Sequence, residues 1–249
     1  MQTWILLRGL TRESRHWGDF LLQFQHALPD TQIIALDLPG NGRLNQQLSP
    51  LRIQDMAAHC RAQLASRNIA PPYKILAMSM GAMVAVAWSE MYPQEVTAQV
   101  LINTSMRPFS PFSHRLLPAN YALLLKLSLM GAAPEAWEHA VLYLTSNRTH
   151  DDVLPLWLAL RQGNPVSRSN AVRQLIAAAR FHAPLVKPPV PTLLLGSEQD
   201  RLVSVNCSKT LASHWQCDLR IHGSAGHDLP LDDGPWVAAQ VRAWLAEGF

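Results

Sequence analysis

A serine, an aspartate and a histidine, residue types that could act together as nucleophile, orienting acid and base, stand in settings that suit such chemistry. Ser79 lies in Ala77-Met78-Ser79-Met80-Gly81, between the apolar run Tyr73-Lys74-Ile75-Leu76 and a small-residue helical stretch at 82–88. A serine on a sharp strand-to-helix turn has its hydroxyl pushed clear of the backbone, with a helix N-terminus behind it. Small residues two before and two after it keep the turn free of clashes. Asp200 follows the apolar run at 191–196, and His227 sits in the loop Gly223-Ser224-Ala225-Gly226-His227-Asp228 after the short run at 218–222. A serine hydroxyl is a poor nucleophile at neutral pH and needs a neighbouring base. A histidine supplies that base, and a carboxylate on its far side fixes the tautomer and stabilises the imidazolium.

Competing roles exist for each residue. A serine at this point also suits the cap of a buried helix. Asp200 could cap the helical pattern at 204–213, and Glu198 is the rival carboxylate two residues away. His222 ends a strand-like run and reads as structural. Asp228 and the Asp232-Asp233 pair read as caps for the last helical pattern, which begins at Pro235.

The elements that must position these groups alternate. Strands are expected at 4–7, 32–37, 73–77, 98–103, 192–196 and 218–222, and helices near 17–28, 53–68, 81–92, 204–213 and 235–247. Alternation of this kind makes a mostly parallel sheet of about six strands with helices on both faces. Residues 107–187 interrupt it. Proline-rich segments at 107–112 and 187–191 bracket four helical patterns, near 119–129, 134–145, 150–162 and 167–182. The expected organisation is therefore a core of residues 1–106 and 188–249 carrying an inserted helical cap, 107–187.

The chain order Ser79, Asp200, His227, each after an expected strand, resembles the α/β-hydrolase family, and the resemblance covers almost the whole chain. The elbow differs from the family's G-x-S-x-G in having Ala77 first. Arg8-Gly9-Leu10 follows the strand at 4–7, where the family often has a His-Gly pair, and Arg8 replaces that histidine. Asp37-Leu38-Pro39-Gly40-Asn41-Gly42 looks like the family's D-x-P-G-x-G segment, in which Asp37 is read as structural. The resemblance implies a triad of Ser79, Asp200 and His227, with the backbone N–H groups of Leu10 and Met80 forming the oxyanion hole. It implies a cap over the serine, with Leu123, Leu127, Met130, Trp137 and Trp157 as candidate pocket residues, alongside Leu144. The activity implied is hydrolysis of a carboxylic ester through an acyl-enzyme, with no cofactor and no metal. In layout the chain is similar to small bacterial serine esterases and, in length and four-helix cap, to the carrier-protein methyl-ester esterase of biotin synthesis. The cap decides the substrate, so that substrate does not carry over. A carbon–carbon bond hydrolase or lyase on the same triad, and a non-catalytic receptor on the same fold, stay open. A haloalkane dehalogenase is disfavoured, because position 79 is serine rather than aspartate.

Composition sets the outer bounds. With 249 residues and 48% hydrophobic content the chain can bury one large core. A net charge of +3 and dispersed arginines argue against a nucleic-acid partner. No apolar run approaches the ~20 residues of a membrane helix, and the N-terminal residues lack the pattern of a signal peptide. The cysteines Cys60, Cys207 and Cys217 have no metal-ligand spacing and no even pairing, which fits a reducing, cytoplasmic setting. Between 107 and 187, nine lysines and arginines stand against four acids. A solvated helix face is the plain reading of that excess. The sharper expectation is a small-molecule ester substrate that is anionic or carrier-bound.

Overall fold

The structure, a computed structural model, describes residues 2–129, 132–148 and 152–248. In chain order β1 (Gln2–Leu7) leads to α1 (Phe20–Ala27), β2 (Thr31–Leu36) to α2 (Ile53–Ser66), and β3 (Tyr73–Met78) to α3 (Met80–Met91). After β4 (Val96–Ile102) come α4 (Phe112–Arg115), α5 (Tyr121–Leu129), α6 (Pro134–Thr145), α7 (Val153–Gly163) and α8 (Arg168–Arg180). The chain then returns through β5 (Thr192–Ser197), α9 (Asn206–Trp215), β6 (Asp218–His222) and α10 (Leu229–Glu247). This is an α/β-hydrolase fold: one six-stranded sheet in the order β2-β1-β3-β4-β5-β6, with every neighbouring pair parallel.

Successive strand residues point to opposite faces, and both faces are covered, so the strands are apolar almost throughout. Trp4, Leu6, Leu76, Val100 and Leu195 pack with α1 and α10 on one side. Ile5, Leu7, Ile75, Leu101 and Leu194 pack with α2, α3 and α9 on the other. Helix α3 is buried nearly all round, which accounts for its run of alanine and valine. Each fully buried large side chain contributes about 1.5–3 kcal/mol relative to exposure.

The chain runs outward from β1 to β2 and then crosses back to β3. The connections leaving β1 and β3 therefore diverge to opposite faces, α1 on one and α3 on the other, opening a crevice at the strand ends between them. That crevice receives both the Arg8-Gly9-Leu10 loop and Ser79.

Several expected boundaries shift. The helix expected from 17 opens as a 3-10 turn, Ser14–Trp17, and α1 starts only at Phe20, after Gly18 at φ +49°. The last helix starts at Leu229 rather than Pro235, but Asp233 breaks it with φ −152° and ψ 69°. Pro235 therefore opens the second of two joined helices, as its fixed φ favours. Between 107 and 187 the four expected helices are joined by a short fifth, α4. Among the described residues no helix is long and apolar enough to cross a membrane.

Candidate active site

Ser79 stands between β3 and α3 with φ 55° and ψ −120°, a conformation that L-residues rarely adopt. Close packing holds it there. A Cβ added at Gly81 would lie 2.5 Å from the Leu7 carbonyl oxygen and 2.6 Å from that of Arg8. One added at Gly9 would lie 3.1 Å from Ser79 Cβ. The turn and the β1 exit loop thus press together backbone to backbone. The Ser79 N–H donates to the Ile102 carbonyl at 2.9 Å, and the Ser79 carbonyl accepts from Ala82 N–H and the Thr104 hydroxyl. Ala77 keeps negative φ, so the glycine usual in this motif is not needed and its buried methyl fits. Met80 is the first residue of α3, so its N–H has no acceptor within the helix.

Asp200 follows β5 and His227 follows β6, both buried. His227 Nδ1 lies 2.7 Å from Asp200 Oδ2. The other carboxylate oxygen, Oδ1, accepts the N–H groups of Leu202 and Val203 at 2.8 and 2.9 Å. With Nδ1–H donating to the carboxylate, Nε2 is the free lone pair of His227. Glu198, the rival, is 46% exposed and pairs with Lys209. No hydrogen bond joins the Ser79 hydroxyl to His227.

Asn103, at the end of β4 with φ 45°, ties these loops together. Its amide donates to the His227 carbonyl at 2.8 Å and to the Ser197 hydroxyl, and its carbonyl accepts from Ser197 N–H. The three downstream aspartates divide their work. The Asp233 side chain caps the helical segment that Pro235 opens, accepting Trp236 N–H at 3.1 Å. Asp232 accepts the N–H groups of Gly226 and Asn147 and the Ser146 hydroxyl. Asp228 is the residue just before α10, yet its side chain makes no cap and pairs with Arg8. His222 accepts the N–H groups of Ser224 and Ala225 and packs edge-on to Trp236. Asp37 accepts those of Ser14 and Arg43, a loop-bracing role.

The β1 exit loop carries buried charge. Arg8 bonds Asp228 through both terminal nitrogens, and its guanidinium lies 4.9 Å from the centre of the Trp17 ring. Leu10 is half-buried. Thr11 N–H donates to Gln174 of α8. Arg12 pairs with buried Glu138 of α6, which also binds Arg161 of α7. Trp157 lies under Arg12 at 4.2 Å and against His16. Burial, then the charges of Arg12 and Arg8, hold the His16 imidazole well below its ordinary pKa. Burial likewise lowers the Arg12 pKa, with Glu138 opposing.

Of the other candidate pocket residues, Leu123, Leu127 and Trp137 are half-buried and Leu144 is buried, while Met130 lies outside the described residues. A groove of about 300 Å³ along α6, lined by His139, Tyr143, Arg148 and Arg201 among others, contains none of them. The basic excess is largely engaged with protein oxygens. Arg107, Arg115, Arg173 and Lys187 donate to backbone carbonyls, and Arg148 and Arg161 to carboxylates. Among the described residues no cluster of His, Cys, Asp and Glu could hold a metal ion.

The molecule thus carries a serine at positive φ just before a helix, and a buried histidine–carboxylate pair. A family model for the alpha/beta hydrolase family matches residues 4–240. Among solved structures, the chain is similar to a membrane phospholipase A described as a bacterial virulence factor, at 21% identity and TM-score 0.76, covering 99% of this chain and 79% of that one. It is similar to a thermophilic esterase from Thermogutta terrifontis at 18% identity and TM-score 0.77, covering 99% and 90%. A meta-cleavage product hydrolase from Pseudomonas fluorescens gives 18% identity and TM-score 0.77, covering 100% and 92%. At these identities the likeness is one of fold. No curated protein sequence matches the chain.

Proposed function

Because the chain belongs to the alpha/beta hydrolase family, we propose that it is a serine hydrolase that cleaves a carboxylic ester through an acyl-enzyme. The observation that carries this reading is the buried His227–Asp200 hydrogen bond, at 2.7 Å, in a molecule whose Ser79 is held at φ 55°. His227 Nε2 takes the Ser79 proton as the hydroxyl oxygen attacks the ester carbonyl. Asp200 holds the imidazole in the Nδ1–H tautomer and stabilises it once protonated. The N–H groups of Leu10 and Met80 bind the oxyanion, each such donor being worth about 3–4 kcal/mol. His227 then gives the proton to the leaving alcohol, and water, activated by the same histidine, releases the acid.

Residues 107–187 act as a cap on the core formed by 1–106 and 188–249, and Leu123, Leu127, Trp137 and Trp157 shape the acyl pocket. The substrate is a small-molecule ester with an apolar acyl or alcohol group. Carbon–carbon bond hydrolysis is the second reading. The same three side chains serve it, and the likeness to a meta-cleavage product hydrolase favours it.

The test is a p-nitrophenyl ester series from acetate to dodecanoate, with Ser79→Ala as control. Serine-dependent turnover with a peak in chain length is expected. Turnover that persists in Ser79→Ala, or none on any ester, removes the ester reading.

A further inference from the structure

Arg8 is where the elements of the proposed site meet. Its carbonyl oxygen lies against Gly81, leaving no room for a Cβ there, and the next residue, Gly9, packs on Ser79 Cβ. Leu10, the proposed oxyanion donor, is two positions away. The Arg8 guanidinium reaches across to the residue after His227. Nη1 lies 3.0 Å from Asp228 Oδ1, and Nη2 lies 2.5 Å from Oδ2. Side-chain exposures are 3% and 2%, so the pair is shielded from water. Asp228 is itself anchored: its N–H donates to the Thr145 carbonyl at 2.7 Å, and its carbonyl accepts from Leu231 and Asp232 N–H.

We propose that Arg8 and Asp228 are a positioning pair, which sets the Leu10 N–H and His227 at the distances that the tetrahedral intermediate requires. This rests on the functional reading above. A fork that bonds both oxygens of one carboxylate fixes distance and orientation together, which a lysine's point charge does not. A buried ion pair is commonly replaceable by apolar side chains without loss of stability. Its use here is therefore geometric, spanning two loops that 220 residues of chain separate. The pairing also engages the Asp228 carboxylate, so that Asp200 alone serves His227. Neither Arg8 nor Asp228 touches the reacting atoms.

The experiment compares wild type with Arg8→Met/Asp228→Leu, which leaves no buried charge without a partner, and with Arg8→Lys. Melting temperature, kcat and KM on the best p-nitrophenyl ester are measured, together with inhibition by an alkyl boronic acid, which forms a tetrahedral adduct on the serine. In the folded double variant, kcat is expected to fall by about 30-fold, as for a displaced catalytic group. KM should stay within about threefold, and boronate affinity should weaken by about the same factor as kcat. Arg8→Lys should lie between the double variant and wild type. A folded double variant whose kcat and boronate affinity stay within about threefold of wild type overturns the proposal, as does a fall in kcat with boronate affinity unchanged. If the double variant does not fold, Arg8→Lys, which keeps the buried charge pair but loses the two-point fork, is read by the same criteria. Ester turnover surviving in Ser79→Ala would instead remove the functional reading beneath the pair, so the two failures are distinguishable.

Discussion

The sheet core and the helices between β4 and β5 are held by different forces. In the core, strand residues alternate between two apolar layers, and the contacts are largely carbon on carbon. These helices contribute Ala177, and Phe181 just after α8, to one layer, but polar groups make many of their attachments. Gln174 binds Thr11 N–H, Asn41 and Ser49. Asn170 accepts Ser49 N–H, and Glu138 holds Arg12. Asn147 donates to the carbonyls of Gln199 and Ser224 and to Asp232. Apolar burial is non-directional and sets stability, whereas hydrogen bonds are directional and set position. These bonds converge on the loops that carry Leu10, Asp200 and His227. Damage to the core should therefore lower stability, and damage to the attachments should alter catalysis.

Ser79→Ala gives the largest effect and belongs to neither region's packing. Turnover should fall by about 10³-fold or more, with the melting temperature within a few degrees of wild type; strong residual turnover would place the chemistry elsewhere. Phe24→Ala probes the core, removing a fully buried ring set edge-on to Trp4. About 3–5 kcal/mol of stability should be lost in urea unfolding, with KM of the folded enzyme unchanged. Glu138→Gln probes the attachments by weakening the hold on Arg12 and Arg161. It should cost about 2–3 kcal/mol and, unlike the core change, raise KM. An unchanged KM would mean that these bonds serve stability alone.

The smallest effect is acid sensitivity through His16. Its folded pKa is lowered, so the unfolded chain binds the proton more readily. The stability gained by keeping it neutral is present above the ordinary value of 6.5 and is lost as pH falls below it. The slope should approach about 1.4 kcal/mol per pH unit, and His16→Gln should lack it. Equal slopes in the two proteins would show that His16 is not the group responsible.

The parts of the molecule legible in the sequence are those whose physics is local. A parallel strand covered on both faces must be apolar along its length, so β1, β3 and β5 stand out as short apolar runs. The 77–81 turn needs small residues because two carbonyls press on Gly81, and that requirement is written within five residues. Asp200 and Glu198 are two residues apart, yet Asp200 meets His227 and Glu198 pairs with Lys209 at the surface. What was not legible depends on partners far apart in the chain. Asp228, Asp232 and Asp233 look alike beside a helix start, yet the side chain of one meets Arg8, that of another meets Ser146 and Asn147, and that of the third meets Trp236 N–H. Asn103 has no local signature for joining β4, β5 and the histidine loop. The basic surplus between 107 and 187 can be counted in the sequence, but the carbonyls that Arg115 and Arg173 meet cannot be read there.

The Arg8–Asp228 bond also constrains how this chain can diverge. Replacing either residue alone by an uncharged one leaves a buried charge with no counterpart, typically a loss of about 3–5 kcal/mol, a large fraction of a domain's whole stability. Single-step descendants at either position are thus at a disadvantage, and the favourable double replacements lie beyond them. Positions 8 and 228 should accordingly be inherited as a unit, invariant or exchanged together, whatever happens to the surface around them.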